Sequence, residues 1–325
     1  MSVTVTPGLV SIVVASYNHA DYLKQRMDSL IAQTYPNIEI IVIDDHSTDN
    51  SLEVLKLYES FPKVNLIVRE ENGGWVTVSN QGVELSSGEF VIFANCDDAC
   101  DPHMIESLVS AIQKHPKAGI SYCRSIMIDA ENNIIGDDYY YREKAFKIRC
   151  LFDTLITRKE MRLFLLYSCV IPNLSAALIR KECLSEVGVL SHDYKVCSDW
   201  DLFFRISARF DVAYVSESLN KFRQHNTTIR ASIKERIVID EYLRLLLSQI
   251  KKTDISPLKK TRYKINVMYI WSSHFMLPST LGLKNFRFHL EKVLKYDPYA
   301  ICYLPIAVIM RFFTLFIFLF KKKLL

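Results

Sequence analysis

No Gly-x-Gly-x-x-Gly and no Gly-x-x-x-x-Gly-Lys-[Ser/Thr] follows any strand-like run of this 325-residue sequence. Dinucleotide-binding and P-loop readings therefore lose their main support. Internal repeats and low-complexity linkers are missing as well. The opening stretch, MSVTVTPGLVSIVVAS, lacks a basic segment followed by an apolar core and a small-residue cleavage site, so no secretory signal peptide is expected. The eight cysteines are scattered and the chain is far too long for a disulfide scaffold, which fits a reducing, cytoplasmic compartment. Among them, Cys96, Cys100 and Cys123 with His103 lack the close-spaced thiol pair of a zinc site and read as small buried hydrophobes. The net charge is +4, and Arg311, Lys321, Lys322 and Lys323 in the tail beyond Ala300 account for all of it. A neutral body offers no electrostatic case for nucleic acid as a partner.

What is present is a regular alternation. Hydrophobic content of 50% with ordinary charge excludes a disordered chain. LVSIVVASYN, IEIIVIDD, KVNLIVRE and EFVIFAN are short, β-branched-rich runs of the kind found in strands buried on both faces. Between them lie helical patterns. DYLKQRMDSLIAQT sets Leu23, Met27, Leu30 and Ile31 on one face, and STDNSLEVLKLYESF has Ser47, Thr48 or Asp49 available as a cap. WVTVSNQGVELSS follows the Gly73–Gly74 pair and stops at Gly88. Strand–helix alternation predicts an α/β fold, a mostly parallel sheet with helices on both faces. In such sheets ligands bind in the crevice at the carboxyl ends of the strands. Three polar clusters fall there: Ser16–Tyr17–Asn18, Asp44–Asp45 and Asp97–Asp98. The last is the sharpest signal, because adjacent carboxylates at a buried strand end repel and need a cation or donors to stay ionised.

Past Ala118 the alternation becomes irregular. AGISYCRSIMID and SAALI read as strands, and residues 137–170 mix Tyr, Lys, Arg and Leu as a substrate-binding insertion would. CSDWDLFFRISARF reads as a helix with Asp199 at its start, where a helix N-terminus stabilises an anion. VAYVSESLNKFRQHNTT returns as one strand or two and ends in His225. A lone His is equally compatible with a structural hydrogen bond and with a metal site. Trp75 and Trp200 are read as packing residues, with Trp75, beside two glycines, also open to a flap role.

SIVVASYNHADYLKQRMDSLIAQTYPNIEIIVIDDHSTDNS, the later CDD, SDWDLFFRI and FRQH together resemble glycosyltransferase family 2, enzymes of the GT-A fold, over roughly residues 9–230. The resemblance implies an inverting, metal-dependent transfer of a sugar from a nucleotide-diphosphate sugar. It implies that Ser16 and Tyr17 flank the base, that Asp45 meets the base edge and that Asp97 lies near the ribose. It further implies that Asp98, with His225 nearby, binds the divalent cation (Mn²⁺ or Mg²⁺) on the diphosphate, and that Asp199 is the general base. Three positions depart from the family pattern: Ser79 replaces a basic residue, Asn95 a further acid and Ser198 a Glu.

These features predict a catalytic domain over residues 1–230 and a helical extension over 231–325. The tail from Ala300 to Phe320 is long enough to span a bilayer, but Pro305 and Arg311 interrupt it. A central Arg costs about 2.5–3.5 kcal/mol on insertion. Residues 300–325 are therefore expected to lie on the inner face of the membrane, with Arg311 and the lysines at anionic headgroups, a spanning helix being the alternative. The expected function is addition of a sugar, with a UDP-sugar as the preferred donor, to a glycan or lipid-linked acceptor in cell-surface polysaccharide synthesis. A catalytically silent nucleotide-sugar-binding scaffold remains open, as does a nucleotidyltransferase.

Overall fold

The computed structural model describes residues 5–138, 151–226, 233–275 and 283–322. Cys150, most of the aromatic and basic part of the expected insertion (139–150), and Lys323 lie outside the described residues. The chain divides into two compact units, Met1–Thr228 and Ile229–Leu325, each with its own core.

In the first unit the four β-branched runs form β1 (Thr6–Ser16), β2 (Ile38–Asp44), β3 (Val64–Val68) and β4 (Gly88–Asn95). They lie in the order β3–β2–β1–β4, all parallel. Val10, Ile12 and Val14 of β1 face one side, where Leu23, Met27 and Leu30 of α1 (Ala20–Ile31) and Leu55 of α2 (Ser51–Lys56) cover them. On the other side Ile41 and Ile43 of β2 meet Val78 of α3 (Trp75–Leu85). Burial on both faces is why these strands carry almost no charge. The register brings the strand ends level, with Ser16 opposite Asp44 and Ala15 opposite Asn95. All three polar clusters therefore emerge at one edge.

Beyond β4 the sheet is mixed, a correction to the mostly parallel expectation. The two-residue β5 (Ala99–Cys100) and α4 (Met104–Gln113) lead into β6 (Ala118–Ile128), which carries the edge strand β7 (Ile134–Asp137). β8 (Thr154–Ile156) and α5 (Arg158–Leu165) then precede β9 (Ala177–Arg180). β9 inserts antiparallel between β4 and β6. α6 (Lys181–Val187) and α7 (Ser198–Ile206) follow, and β10 (Asp211–Arg223) runs parallel to β6, with β5 and β8 antiparallel against it. Antiparallel neighbours need no crossover helix, so the strand–helix rhythm lapses where the sheet changes sense. β10 slips register against β6 between Val215 and Asn220, and its end brings Arg223 and His225 to Asp97 and Asp98 at the end of β4.

The second unit contains α8 (Glu235–Lys252), α9 (Pro257–Phe275), α10 (Leu283–Tyr296), a 3₁₀ turn (Pro298–Tyr303) and α11 (Leu304–Lys322). Its core includes Leu243, Leu246, Leu247, Met268, Trp271 and Val293. Asp240 ties α8 to α10 through Lys292 at 3.0 Å and the Tyr296 hydroxyl at 2.8 Å. Arg311 lies over the Tyr269 ring at 5.3 Å. Ile306, Ile309, Met310, Phe312 and Phe313 are exposed. Among the described residues, no helix is long and apolar enough to cross a membrane.

α3 packs tightly on β1 at Gly82. A Cβ added at Gly82 would stand 2.1 Å from Val13 Cγ1. Gly82→Ala is expected to lower unfolding free energy by about 1–3 kcal/mol, as overpacking does. Val13→Ala in the same chain is expected to recover part of the loss, both read from urea denaturation midpoints.

Candidate active site at the carboxyl edge of the sheet

The loop after β1 is held by the loop after β2. Asn18 adopts a left-handed backbone (φ 52), a conformation Asn tolerates better than most residues. Its N–H donates to Ser47 Oγ (3.0 Å), and its Oδ1 accepts from the Thr48 N–H (2.7 Å). The N–H groups of His19 and Ala20 donate to Ser51 Oγ and Asp49 Oδ2, both at 3.1 Å. Ser47, Thr48 and Asp49, read from sequence as possible caps, thus brace this loop, and Asn50 occupies the α2 cap position without a side-chain bond. Ser16 is buried at the strand end and Tyr17 is 41% exposed.

Asp44 accepts from the N–H and Oγ of Ser47 at 2.9 and 2.6 Å. Asp45 is buried, and its two oxygens accept from the Gly73 and Gly74 N–H groups at 2.8 Å each while Arg69 Nε lies 3.0 Å away. These contacts take three of a carboxylate's roughly four acceptor directions. The residue expected at a base edge is therefore committed to holding the Gly73–Gly74 turn, where Gly74 supplies the positive φ of 81.

From that turn α3 fastens the segment leading to Asp199. The Trp75 indole N–H donates to the Lys195 carbonyl (3.0 Å), and Asn80 both donates to the Leu190 carbonyl (2.9 Å) and accepts from its N–H (3.0 Å). Arg205 of α7 donates to the carbonyls of Val187, Gly188 and Val189 and pairs with Asp201 at 2.7 Å. Asp199 sits half-buried in the first turn of α7. Ser198, one of the departures, donates to the Ser191 carbonyl (2.9 Å), and Ser79, another, is buried within α3.

The adjacent carboxylates turn apart. Asp98 is fully buried: Oδ1 accepts from the Arg223 N–H (2.9 Å), and Oδ2 accepts from Asn173 Nδ2 (2.9 Å) and Asn95 Nδ2 (3.2 Å). Burial and then the charge of Asp97 push its carboxyl up to about 7, against the opposing charge of Arg26. Arg26 is itself fully buried on α1, and its guanidinium makes no hydrogen bond in the structure. Asp97 faces the other way, its Oδ2 2.9 Å from His225 Nε2. Burial acts to raise Asp97, but the His225 hydrogen bond and the His19 and His225 charges outweigh it, so the carboxyl is held below its usual range. Arg223 anchors the corner: Nε donates to the Asp97 carbonyl (2.7 Å), Nη1 to the Asp129 carbonyl (2.8 Å), Nη2 to Gln25 and Asn132, and the guanidinium lies 4.8 Å over Tyr22.

His19, Asp97 and His225 each bring one donor atom within 4.8 Å of the others. Two imidazole nitrogens and a carboxylate oxygen make a donor set suited to a divalent cation. Asp98, expected on the cation, is walled into the network, whereas Asp97, expected near the ribose, is the acid beside His225. A cavity of about 690 Å³ between α4 and β10, lined in part by His103, Glu106, Asp153 and Tyr214, contains none of Asp45, Asp97 or Asp199. Sequence reasoning missed His19, Arg26 and Arg223. A signal existed for Arg26, a charge on the helical stripe of Leu23, Met27 and Leu30, and for His19, a ligating side chain at the same strand edge. Arg223 had none.

The family model described as Glycosyl transferase family 2 matches residues 11–188. An uncharacterized glycosyltransferase of Rickettsia typhi is 30% identical over 249 residues, 75% of this chain and 72% of that protein. Glycosyltransferase GlyA of Streptococcus pneumoniae is 28% identical over 248 residues, 75% of this chain but only 34% of its own length. Among solved structures, S. aureus TarS 1–349 in complex with UDP-GlcNAc superposes with a TM-score of 0.67 at 17% identity, covering 90% of this chain and 81% of that one. The mannosyltransferase PcManGT from Pyrobaculum calidifontis, in complex with GDP-Man and Mn²⁺, gives 0.52 at 16% identity, covering 93% and 86%. At these identities the likeness is one of fold, the GT-A arrangement.

Asp98→Ala leaves the Arg223 N–H, Asn95 and Asn173 without their acceptor and the buried Arg26 without its opposing charge. A loss of about 3–5 kcal/mol is expected, as for breaking a buried ion pair. Asp97→Ala is expected to cost much less, the two compared by urea denaturation.

Proposed function

The chain belongs to glycosyl transferase family 2, and on that premise we propose that it moves a sugar from a nucleotide-diphosphate sugar to an acceptor hydroxyl with inversion at the anomeric carbon. The observation that carries the reading is the meeting of Asp97 and His225, with His19 beside them, at the carboxyl edge of the sheet. Asp97 and His225 would hold a divalent cation at the donor diphosphate. When bound, it supplies Lewis-acid stabilisation of the charge that develops on the departing nucleoside diphosphate. Tyr17, exposed at the end of β1, flanks the base. Asp45 acts by fixing the Gly73–Gly74 turn.

Asp199 is the general base. As the acceptor oxygen bonds to the anomeric carbon, Asp199 takes the hydroxyl proton, and the bond to the diphosphate oxygen breaks with its electrons leaving on the nucleoside diphosphate. The clamps of Asn80 on Leu190 and Arg205 on residues 187–189 hold the base in place, which is where positioning contributes to rate. Ser198 and Ser79 have structural places, so their departures from the family pattern remove no proton acceptor.

A UDP-sugar is the preferred donor, a choice supported by TarS, a protein of like fold bound to UDP-GlcNAc. The acceptor is a glycan or lipid-linked hydroxyl in cell-surface polysaccharide synthesis, met at a membrane surface. Support for the surface is the exposed row of Ile306, Ile309, Met310, Phe312 and Phe313 on α11. Side chains of this kind on an interfacial helix bury into the headgroup boundary.

Asp199→Asn is expected to lower turnover by about 10²–10⁴-fold, the usual worth of a general base, while calorimetry shows unchanged UDP binding with Mn²⁺. Near-native turnover would remove Asp199 from the role. Anionic vesicles are expected to co-sediment with the full chain and to lose it on combined Phe312→Asp and Phe313→Asp substitution. Equal sedimentation of both proteins would remove the membrane surface from the reading.

A further inference from the structure

We propose that His19 is a third protein ligand of the cation, so that the site presents two imidazoles and one carboxylate and selects Mn²⁺ or a similar transition metal over Mg²⁺. This rests on the assignment of a divalent cation to Asp97 and His225 made above.

The tautomer of His19 is fixed by its surroundings. Nδ1 lies 2.6 Å from the Tyr17 carbonyl oxygen, which can only accept. A proton therefore sits on Nδ1, and in the neutral ring Nε2 carries the lone pair. A ligating histidine is commonly oriented this way, its other N–H held by a carbonyl that raises the basicity of the donor nitrogen. Nε2 is buried and has no hydrogen-bond partner in the structure. A buried acceptor left unmet costs about 1–3 kcal/mol, which a ligand-binding role explains and a packing role does not. The ring stands 5.5 Å from that of His225, nearly perpendicular at 80°, so two imidazoles approach the Asp97 carboxylate from different directions.

The backbone beneath His19 is equally constrained. Its N–H is held by Ser51 Oγ, and Asn18 before it is latched to Ser47 and Thr48. The donor thus comes from a braced loop, which lowers the ordering cost of binding. Two nitrogens and one carboxylate oxygen depart from the oxygen-rich environment Mg²⁺ demands and suit transition metals that accept imidazole. His19 lies two residues from Tyr17, so the same loop serves the cation and the nucleoside.

The test uses the full chain with ¹⁵N-labelled histidine and Mn²⁺ as the probe, with and without UDP. Pulsed electron paramagnetic resonance counts imidazole nitrogens bound to Mn²⁺, and calorimetry gives Mn²⁺ and Mg²⁺ affinities. Wild type is expected to show two bound imidazoles. His19→Phe, which keeps a ring against Tyr22 and His225, is expected to show one, with Mn²⁺ affinity about 10–100-fold weaker and less preference over Mg²⁺. His19→Ala, read the same way, guards against poor accommodation of the phenyl ring, and circular dichroism melting verifies that each variant is folded. If the folded variants keep the wild-type nitrogen count and affinity, His19 is not a ligand and only this inference falls. If wild type shows a single imidazole, the inference falls while the Asp97–His225 assignment stands. If wild type binds no cation, or Asp97→Ala binds it as well as wild type, that assignment falls as well.

Discussion

Two carboxylates on consecutive residues cannot both be buried and ionised without compensation, and much of the first unit answers that constraint. Asp98 goes inward and draws Asn95, Asn173, the Arg223 N–H and the Arg26 charge around it. Asp97 goes outward to the imidazoles. The division is between a carboxylate that organises the corner and one that faces the imidazoles. Arg223 joins the halves, because its backbone serves Asp98 and its side chain holds the Asp97 carbonyl.

The sheet's change of sense serves the same corner. The parallel half, β3–β2–β1–β4, levels the strand ends so that their loops emerge at one edge. The antiparallel insertion of β9 widens the sheet by one strand before β6, and β10 crosses past its register slips to deliver Arg223 and His225 from more than a hundred residues downstream. The segment leading to Asp199 is fastened separately, by side chains of α3 meeting backbone at Leu190 and Lys195. Site residues from distant stretches are thus fixed mainly by backbone contacts, which tolerate variation in the surrounding side chains.

How much of this was legible in the sequence follows from range. Strands β1 to β4 were readable because burial on both faces leaves an uninterrupted β-branched run, and the edge where the polar clusters gather follows from parallel topology alone. The helix bearing Asp199 was readable from its apolar stripe. The different fates of Asp97 and Asp98 were not, because alternation only says that neighbours point opposite ways and not which way is inward. That depended on β10, whose pairing partner no local pattern identifies. Asp45 was expected at a base edge, and its bonds to the Gly73 and Gly74 N–H groups, made by a tertiary approach, carried no local signal. The contact of Arg311 with the Tyr269 ring on α9 likewise carried no local signal.

Arg26 carries a consequence for how the chain reaches this state. Its guanidinium is sealed in the core with no hydrogen bond, and its opposing charge, Asp98, belongs to a loop 72 positions later in the chain. Docking α1 before that loop is in place would bury a bare cation, at a cost of several kcal/mol even after relaxation. Until then the helix is held off the sheet by its own hydration. The burial of Arg26 therefore couples the packing of α1 on the sheet to the placement of the loop after β4.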